Sequence, residues 1–395
     1  MVIGAGFIGL EMAENLVNQG LEVTVVEAAP QVLTPLDPEM AILVQDELEA
    51  HGVTVETNAT VASVEEGKLT LDDGRVLPAD LVVGAIGVRP DVGLAETANI
   101  ELGPNGGIAV NEVSQTSDPD IYAVGDAVEK PDAISQATSL IALANVANRQ
   151  GRRVADHIAG RDVHRVASLG TAIVKVFDLA VATVGWNERR LRETGREFKA
   201  IHSHPFDHAT YYPGATRMSA KLIFDVGNGS ILGAQIVGRN GVDKRIDVIA
   251  TAMAGGITAD RLADVELAYA PPFSSAKDPV NLLGYMAENV LSGDCNIVGP
   301  DRLGDLADQG WPVIDVRSPG EHRRGAIPGS INIPIDSLRE HLDEIGRGPV
   351  VIYCEVGQRG HTATALLQEL GAVARNLDGG YQTWKAWTRA QRAPN

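Results

Sequence analysis

Two patterns of apolar and polar positions alternate along much of the chain, and together they predict an α/β protein. Short aliphatic runs bounded by glycine and polar residues are typical of buried strands, whereas apolar residues spaced three and four apart indicate helices. Residues 1–27 predict a strand, a tight turn, a helix and a second strand. Since consecutive parallel strands are joined by such a helix, we expect an N-terminal parallel sheet.

The turn after the first predicted strand carries the pattern GxGxxG, formed by Gly4, Gly6 and Gly9. The first glycine allows the turn, the second lets a pyrophosphate approach the backbone, and the third lets the helix pack on the strand. The helix N-terminus would direct free N–H groups and the positive end of its dipole at the phosphates. This context predicts a Rossmann-like dinucleotide site.

Glu27 ends the second predicted strand, where its carboxylate could accept hydrogen bonds from the adenosine ribose 2′-OH. A carboxylate there would repel a 2′-phosphate, which favours NADH over NADPH. The alternative interpretation is a solvated carboxylate at a strand end.

Two later segments predict further strand ends. Residues 81–85 form a buried apolar run that ends in a turn from Gly87 to Pro90, and residues 121–124 deliver Gly125 and Asp126. Ligands of open parallel sheets bind beyond the carboxyl ends of the strands. A Gly-Asp pair alone is more often a plain turn, so both interpretations remain open from the residues.

A smaller alternating α/β unit is predicted over residues 297–390. The runs 311–317, 348–354 and 374–380 predict strands, and 335–346 and 361–372 have helical spacing. The second of these strands ends on Cys354, and we expect a helix to begin just after Arg359. A loop between a strand end and a helix N-terminus turns backbone N–H groups inward and stabilises an anion such as a thiolate.

The loop between cysteine and arginine has four residues, Glu355, Val356, Gly357 and Gln358. Phosphatase loops of this kind have five, so the smaller ring suits a sulfane sulfur on the cysteine, and Glu355 is expected to repel a phosphoryl dianion. The alternative is a buried, inert cysteine, which is common for this residue type. Inertness is the interpretation we favour for Cys295.

The charge and length narrow the class of protein. The 395 residues suggest two or three domains. A net charge of -19 argues against nucleic acid as a partner. No apolar run approaches the roughly 18 residues of a membrane span, and two cysteines fit a reducing compartment, so we expect a soluble cytoplasmic protein.

His202, His204 and His208 lie in a predicted loop without a completing cysteine or carboxylate, which favours a structural or interfacial role over a metal site.

Several motifs in the expected order resemble FAD-dependent pyridine nucleotide-disulphide oxidoreductases. They include "GAGFIGLEMAENL", "TSDPDIYAVGDAVE" and "AYAPPFSSAKDPVNLLGY". The resemblance covers nearly all of residues 1–292 and is closest to the branch of coenzyme A disulfide reductases, NADH oxidases and coenzyme A persulfide or polysulfide reductases. It implies FAD and NADH as cofactors, a homodimer, and coenzyme A disulfide, coenzyme A persulfide or polysulfide as the substrate class.

The same resemblance assigns roles to residues. Asp126 would bind the flavin ribitol, Glu11 would lie near the nicotinamide and flavin, and Gly87 and Gly125 would belong to the cofactor sites. Tyr269 would contribute to the partner subunit's site. A second aromatic of that motif, often tyrosine in the family, is a phenylalanine at position 273 in this chain, which removes a hydroxyl.

The C-terminal motifs resemble a rhodanese sulfurtransferase domain. They are "VIDVRSPGEHRRGAIPGSINIP", "CEVGQRG" and "LDGGYQTW". By this resemblance Cys354 is the nucleophile that forms a persulfide, Arg359 orients a donor such as thiosulfate, and the amides of residues 355–359 hold the transferred sulfur.

The resemblances divide the chain into four parts: an NADH-binding domain (1–112), the C-terminal part of a FAD-binding domain (113–165), an α+β dimerisation domain (166–292) and a rhodanese domain (297–390). The family's N-terminal FAD half, with its redox cysteine, is not in this sequence, and we therefore expect only the sulfurtransferase step to have all its residues. Two alternatives are an NADH oxidase, in which flavin reduces oxygen, and a non-catalytic sulfur-binding module on a dimer scaffold.

Overall fold

The computed structural model describes residues 1–164 and 166–392, which fall into two compact units. The first unit comprises Met1–Ala85, Ile173–Ala182 and Trp186–Asn395, and the second comprises Ile86–Ala172 and Thr183–Gly185. The boundary between the units therefore precedes the domain boundary predicted at residue 112. The four-part division of the chain stays a prediction.

The N-terminal part of the first unit is a parallel sheet in the order β3-β2-β1-β7, followed along the chain by a small antiparallel sheet, β4-β5-β6. Its elements are β1 (Val2–Ile3), α1 (Phe7–Asn18), β2 (Thr24–Val26), α2 (Pro38–Ala50), β3 (Thr54–Glu56), β4 (Val61–Glu65), β5 (Gly67–Leu71), β6 (Val76–Ala79) and β7 (Val83–Gly84). Val2, Leu10 and Val25 are fully buried in the core between the sheet and the helices. The strand predicted over 81–85 is shorter than expected, because Leu81 is half exposed and lies outside the pairing.

The second unit contains little regular structure. Its elements are α3 (Gly93–Thr97), β8 (Glu129–Pro131), β9 (Thr138–Leu140) and α4 (Ala144–Ile158). The strand predicted over 121–124 is wrong: an apolar run becomes a strand only where a neighbour pairs with it, and the described residues give this run one isolated bridge, from Tyr122 to Gln115. Ile121 and Val124 are correspondingly exposed.

A five-stranded sheet, in the order β10-β11-β14-β13-β12, follows along the chain. Its strands and helices are β10 (Ala172–Val176), β11 (Leu179–Gly185), α5 (Glu188–Glu193), β12 (Lys199–Ser203), β13 (Met218–Phe224), β14 (Ile231–Gly238), α6 (Val242–Ala254) and α7 (Pro279–Leu291), with a 3-10 helix at Asp260–Asp264. All eight residues of β14 are buried, as expected for an apolar strand inside a sheet. His202 lies on β12 and is buried, so its placement in a loop was wrong.

The C-terminal sheet is parallel, in the order β15-β19-β18-β16-β17. Its elements are β15 (Ile297–Val298), α8 (Pro300–Asp308), β16 (Val313–Asp315), α9 (Pro319–Arg323), β17 (Ile331–Asn332), α10 (Leu342–Ile345), β18 (Pro349–Tyr353), α11 (Gln358–Glu369), β19 (Val373–Leu377) and α12 (Gly380–Arg392). The helix predicted over 335–346 is a 3-10 helix, Ile335–His341, followed by the single turn of α10. Helix α11 begins at Gln358, one residue before Arg359 rather than after it. Along the described residues, no helix combines the length and apolar character needed to cross a bilayer.

Candidate functional sites

The glycine loop between β1 and α1 leaves space for a ligand in front of the helix. Gly4 has φ 101°, which favours glycine, and its N–H donates to Val26 O at 2.8 Å. A Cβ on Gly9 would lie 1.9 Å from the carbonyl oxygen of Gly4, whereas a Cβ on Gly6 would have no atom within 4 Å. Among the residues that the structure describes, no side chain caps α1, so the loop fits a pyrophosphate held by backbone N–H groups.

Glu27 follows β2 and is tied to this loop. Its Oε2 accepts from the Ala5 N–H at 2.6 Å, and its Oε1 accepts from the Ala29 N–H at 2.8 Å. These bonds fix the carboxylate beside the glycines, a structural role that the sequence interpretation missed. Each carboxylate oxygen has a second lone pair that could accept from a hydroxyl. Glu11 lies exposed on α1.

The second unit places Gly125 and Asp126 in a braced turn. Gly125 has φ 89°, its N–H donates to Gln150 Oε1 at 3.1 Å, and its carbonyl accepts from Lys130 Nζ at 2.6 Å. Burial lowers the pKa of Lys130, and the charge of Asp126 opposes that shift. The side chain of Asp126 is exposed, so this turn offers the carboxylate that a ribityl hydroxyl would need. Gly87, also in this unit, has φ 96°, and a Cβ added to it would have no described atom within 4 Å.

The loop after β18 leaves several of its backbone N–H groups without an acceptor in the part of the protein that the structure describes. Cys354 is almost fully buried at the strand end, and Gly357, with φ 91°, precedes the first residue of α11. Within the described chain, the N–H groups of Val356, Gly357 and Gln358 donate to no carbonyl or side chain. Unpaired N–H groups at a helix N-terminus form an anion cradle.

Arg359 is held rigidly beside this cradle. Its Nη1 and Nη2 donate to the two carboxylate oxygens of Glu321 at 2.9 and 2.6 Å, and these bonds raise the pKa of Arg359. The bond from Arg359 lowers the pKa of Glu321 to about 2. Glu321 also closes the capping box of α9 with Ser318. A bidentate pair fixes the guanidinium plane, which a single contact would not.

A second buried pair lies under the same loop and holds the side chain of Glu355. Arg317 donates to Asp315 from Nε and Nη2 and to Glu355 Oε2 from Nη1, the last at 2.7 Å. Burial raises the pKa of Asp315, but hydrogen bonds from Arg317, His322 and Tyr353 outweigh that effect and lower it. Arg317 thus fixes the Glu355 carboxylate while it also pairs with Asp315, and the repulsion of a phosphoryl group by Glu355 stays a prediction.

The carbonyl side of the loop is held by the end of β19 and the start of α12. The N–H groups of Tyr381 and Gln382 donate to the carbonyls of Cys354 and Glu355 at 2.8 and 3.1 Å. A Cβ on Gly380 would lie 2.4 Å from the Cys354 carbonyl, so only glycine allows this approach. The sequence identified this stretch by family resemblance, but its pattern of polar residues did not reveal the support it gives to Cys354.

Tyr269 lies at the surface with a partner that the sequence interpretation did not select. Its hydroxyl is 2.9 Å from that of Tyr211, and both side chains are exposed. The hydrogen bond with Tyr269 raises the pKa of Tyr211. Phe273 is exposed as well.

The remaining candidate residues, three histidines and Cys295, are in contact with protein groups that indicate structural roles. His202 and His204 are buried and hydrogen-bonded to protein side chains, and His208 contacts the carbonyl of Ala209. In the described ranges these histidines form no cluster of metal-ligand geometry; one acidic cluster, around α2, instead surrounds the ammonium of Lys221. Cys295 is buried, and burial raises its pKa to about 11, which fits an inert thiol.

The chain thus combines a glycine loop that fits a pyrophosphate, a five-stranded sheet and a cysteine loop with unpaired N–H groups. Family comparisons match residues 1–151 to pyridine nucleotide-disulphide oxidoreductases, 171–279 to the dimerisation domain of that family, and 300–386 to rhodanese-like domains.

Individual relatives agree with these matches. The structure of reduced Bacillus anthracis CoADR-RHD is 46% identical with a TM-score of 0.96, covering 98% of this chain and 70% of that one. An NAD-dependent persulfide reductase from A. fulgidus is 40% identical with a TM-score of 0.89, covering 97% and 71%. The coenzyme A disulfide reductase of Staphylococcus aureus (strain bovine RF122 / ET3-1) is 35% identical over 289 residues, 73% of this chain.

The chain therefore belongs to the pyridine nucleotide-disulphide oxidoreductase family and carries a C-terminal rhodanese-like domain, which confirms both resemblances and the predicted fold class. Membership implies use of a flavin and a pyridine nucleotide. The chain spans 66% of the length of the Staphylococcus aureus enzyme.

Proposed function

We propose that this chain combines the NADH-binding part and FAD-contacting residues of a reductase of coenzyme A disulfide, coenzyme A persulfide or polysulfide with a sulfurtransferase that acts through Cys354. The observation that carries the proposal is the cradle of free N–H groups beside Cys354, with Arg359 fixed by Glu321. Two relatives, a coenzyme A disulfide reductase and a persulfide reductase, support the substrate class.

The sulfurtransferase step needs only residues of this loop and its substrates. The Cys354 thiolate attacks the outer sulfur of thiosulfate, the sulfur–sulfur bond of the donor breaks, and sulfite leaves with the bonding electron pair. The product is a Cys354 persulfide anion, whose charge the N–H groups of Val356, Gly357 and Gln358 stabilise. An acceptor thiolate or cyanide then attacks the outer sulfur and releases the Cys354 thiolate.

The reductase residues would bind the two cofactors. The glycine loop would hold the NADH pyrophosphate, and Glu27, already fixed by Ala5 and Ala29, would accept a bond from the ribose 2′-OH and repel a 2′-phosphate. The exposed carboxylate of Asp126 would bind the flavin ribityl chain. A bound flavin would supply the passage of two electrons from the nicotinamide to a sulfur–sulfur bond.

The proposal includes a homodimer built through residues 166–292. This range includes the segment matched to the family's dimerisation domain. The exposed Tyr211–Tyr269 pair offers two phenol hydroxyls to a substrate bound by the partner subunit.

The first test is sulfur transfer from thiosulfate to cyanide by the wild type, Cys354→Ala and Cys295→Ala. We expect Cys354→Ala to lose activity by about a thousandfold or more, because the sulfur of Cys354 carries the persulfide, and Cys295→Ala to keep it. Equal turnover by wild type and Cys354→Ala would exclude the sulfurtransferase. A visible flavin spectrum bleached by anaerobic NADH would support the reductase half independently.

A further inference from the structure

We propose that His202, which lies outside the rhodanese-like domain, is a positioning residue for the Cys354 loop and acts by holding Asp378. The inference rests on the proposed sulfurtransferase function, and deepens it by assigning part of the loop's support to a strand of another domain. His202 is on β12, whereas Asp378 follows β19, 176 residues further along the chain.

The contact between the two residues is buried and has two hydrogen bonds. The His202 backbone N–H donates to Asp378 Oδ1 at 2.9 Å, and the ring Nδ1 lies 2.5 Å from Oδ2. The side chains are 5% and 3% exposed, so water does not compete for either bond.

Asp378 starts the turn that supports the Cys354 loop. Gly379 and Gly380 follow it in left-handed conformation, with φ 64° and 63°. A Cβ on Gly379 would lie 2.8 Å from Cβ of His202, so the histidine packs directly on the turn. The next two residues donate the N–H groups that hold the carbonyls of Cys354 and Glu355. A displacement of Asp378 is therefore passed to Cys354 through two residues of backbone.

His204 gives the same turn a second anchor. Its Nε2 lies 2.7 Å from Oγ1 of Thr383, in the first turn of α12, and its Nδ1 lies 3.0 Å from Oγ of Ser219. His202 and His204 are two apart on the chain, so they share one face where the β12 strand ends. Both ends of the segment 378–383 are thus held from outside the rhodanese-like domain.

The far side of the His202 ring is fixed as firmly as the near side. Its Nε2 lies 3.0 Å from Glu39 Oε1, and Glu39 also accepts from Lys221 Nζ at 2.5 Å. Since both ring nitrogens face carboxylate oxygens, both carry a proton and the ring is an imidazolium. The charged or titratable groups facing it are Asp378, Glu39, Lys221 and His204. This geometry sets the ring plane and therefore the position of Asp378.

Two substitutions of His202 in the full chain separate positioning from general stabilisation. Asparagine can place an amide N–H where Nδ1 lies and keep the bond to Asp378, whereas glutamine reaches the place of Nε2 and keeps only the bond to Glu39. We measure the rate at which iodoacetamide alkylates Cys354, followed on its own peptide by mass spectrometry, and its pH profile. We expect His202→Asn to stay within about threefold of the wild type and His202→Gln to be slower by about tenfold, with an altered profile.

Equal rates in the two variants, or an unchanged rate in His202→Gln, would overturn the proposal, because His202 would then act on stability alone. If His202→Gln does not fold, Asp378→Asn decides: asparagine can keep the bond from the His202 backbone N–H but cannot accept from the ring at the place of Oδ2, so alkylation should slow about tenfold, and an unchanged rate would overturn the proposal. His51→Asn is the control, since His51 stacks on Phe177 and lies outside this network. Alkylation does not depend on turnover, so failure of sulfur transfer in the wild type would reject the sulfurtransferase function separately.

Discussion

The two candidate anion sites of the first unit are assembled in opposite ways. The glycine loop is built from residues close in sequence: Gly4, Gly6 and Gly9 supply the backbone, and Glu27 secures it from the next strand. The Cys354 loop has its backbone supported by Gly380 and Tyr381, its arginine held by Glu321, and its supporting turn bound by His202 on another sheet. A local site depends on backbone space, whereas a site assembled over long range depends on buried side-chain pairs.

The largest expected effect tests the buried charges behind His202. Lys221 is fully buried and pairs with Asp37, Glu39 and Glu188. Replacing Lys221 with methionine would leave these carboxylates uncompensated, so we expect the free energy of unfolding to fall by about 3–5 kcal/mol. Urea unfolding measures the change. Lys68→Met, which removes an exposed pair with Glu65, is the control and should cost less than about 1 kcal/mol. Equal losses in both variants would show that the buried cluster contributes no more than a surface pair.

The next effect tests the local site through its glycines. Gly9→Ala would place a methyl group 1.9 Å from the Gly4 carbonyl and push the loop apart, so we expect NADH affinity to fall about a hundredfold, close to 3 kcal/mol. Gly6→Ala meets no protein atom and should keep the melting temperature while weakening NADH binding, because its methyl group occupies the ligand's space. Fluorescence titration with NADH and thermal unfolding separate these outcomes. Normal affinity in both variants would exclude this loop as the NADH site.

A smaller effect is expected from the orientation of Arg359. Lysine keeps the charge but cannot make the bidentate pair with Glu321, so Arg359→Lys should reduce sulfur transfer by about tenfold while NADH affinity stays unchanged. Arg389→Lys, at the exposed pairs with Asp46 and Glu49, is the matched control and should leave both sulfur transfer and NADH affinity unchanged. A fully active Arg359→Lys would mean that charge alone suffices.

The difference between the sites also explains what the sequence could predict. The glycine loop, the α/β class and the position of Cys354 at a strand end all follow from short-range patterns, and the structure has them. The strand predicted over 121–124 is wrong, because the sequence of an apolar segment does not show whether a neighbouring strand will pair with it. Helix α11 begins at Gln358, and the start predicted just after Arg359 was late by one or two residues, which is the usual uncertainty at a helix end.

The support of the Cys354 loop was beyond sequence reasoning for a related reason. His202 and Asp378 are 176 positions apart, and no periodicity connects them. Nothing in the sequence marks Lys221 or Glu39 as buried. Both are buried in the structure because they form an ion pair with each other, which exists only after three segments of chain have packed together. The bond from Arg317 to Glu355 joins residues 38 positions apart and could not be predicted from the sequence either.

A final effect, spread over several pH units at about 1 kcal/mol in each, concerns the two neighbouring histidines, whose pKa values shift in opposite directions. Burial alone would lower the pKa of His202, but Asp378 and Glu39 raise it to about 9. Burial lowers the pKa of His204 to about 3, and the nearby charges of His202 and Arg217 act in the same direction. An unfolded histidine titrates near 6.5. The protonated form of His202 and the neutral form of His204 are therefore the ones that stabilise the fold.

These shifts set the pH windows in which stability changes. The contribution of His202 is fully present below about pH 6.5 and is lost as pH rises toward 9, whereas His204 opposes folding increasingly as pH falls from about 6.5 toward 3. Each slope amounts to about 1 kcal/mol per pH unit inside its window. Urea unfolding of the wild type, His202→Asn and His204→Asn at pH 5, 6.5 and 8 measures both. We expect His202→Asn to reduce the pH dependence of the free energy of unfolding above pH 6.5, and His204→Asn to reduce it below pH 6.5. Parallel curves for all three proteins would contradict the opposite protonation states, and with them the imidazolium that fixes Asp378 beneath the Cys354 loop.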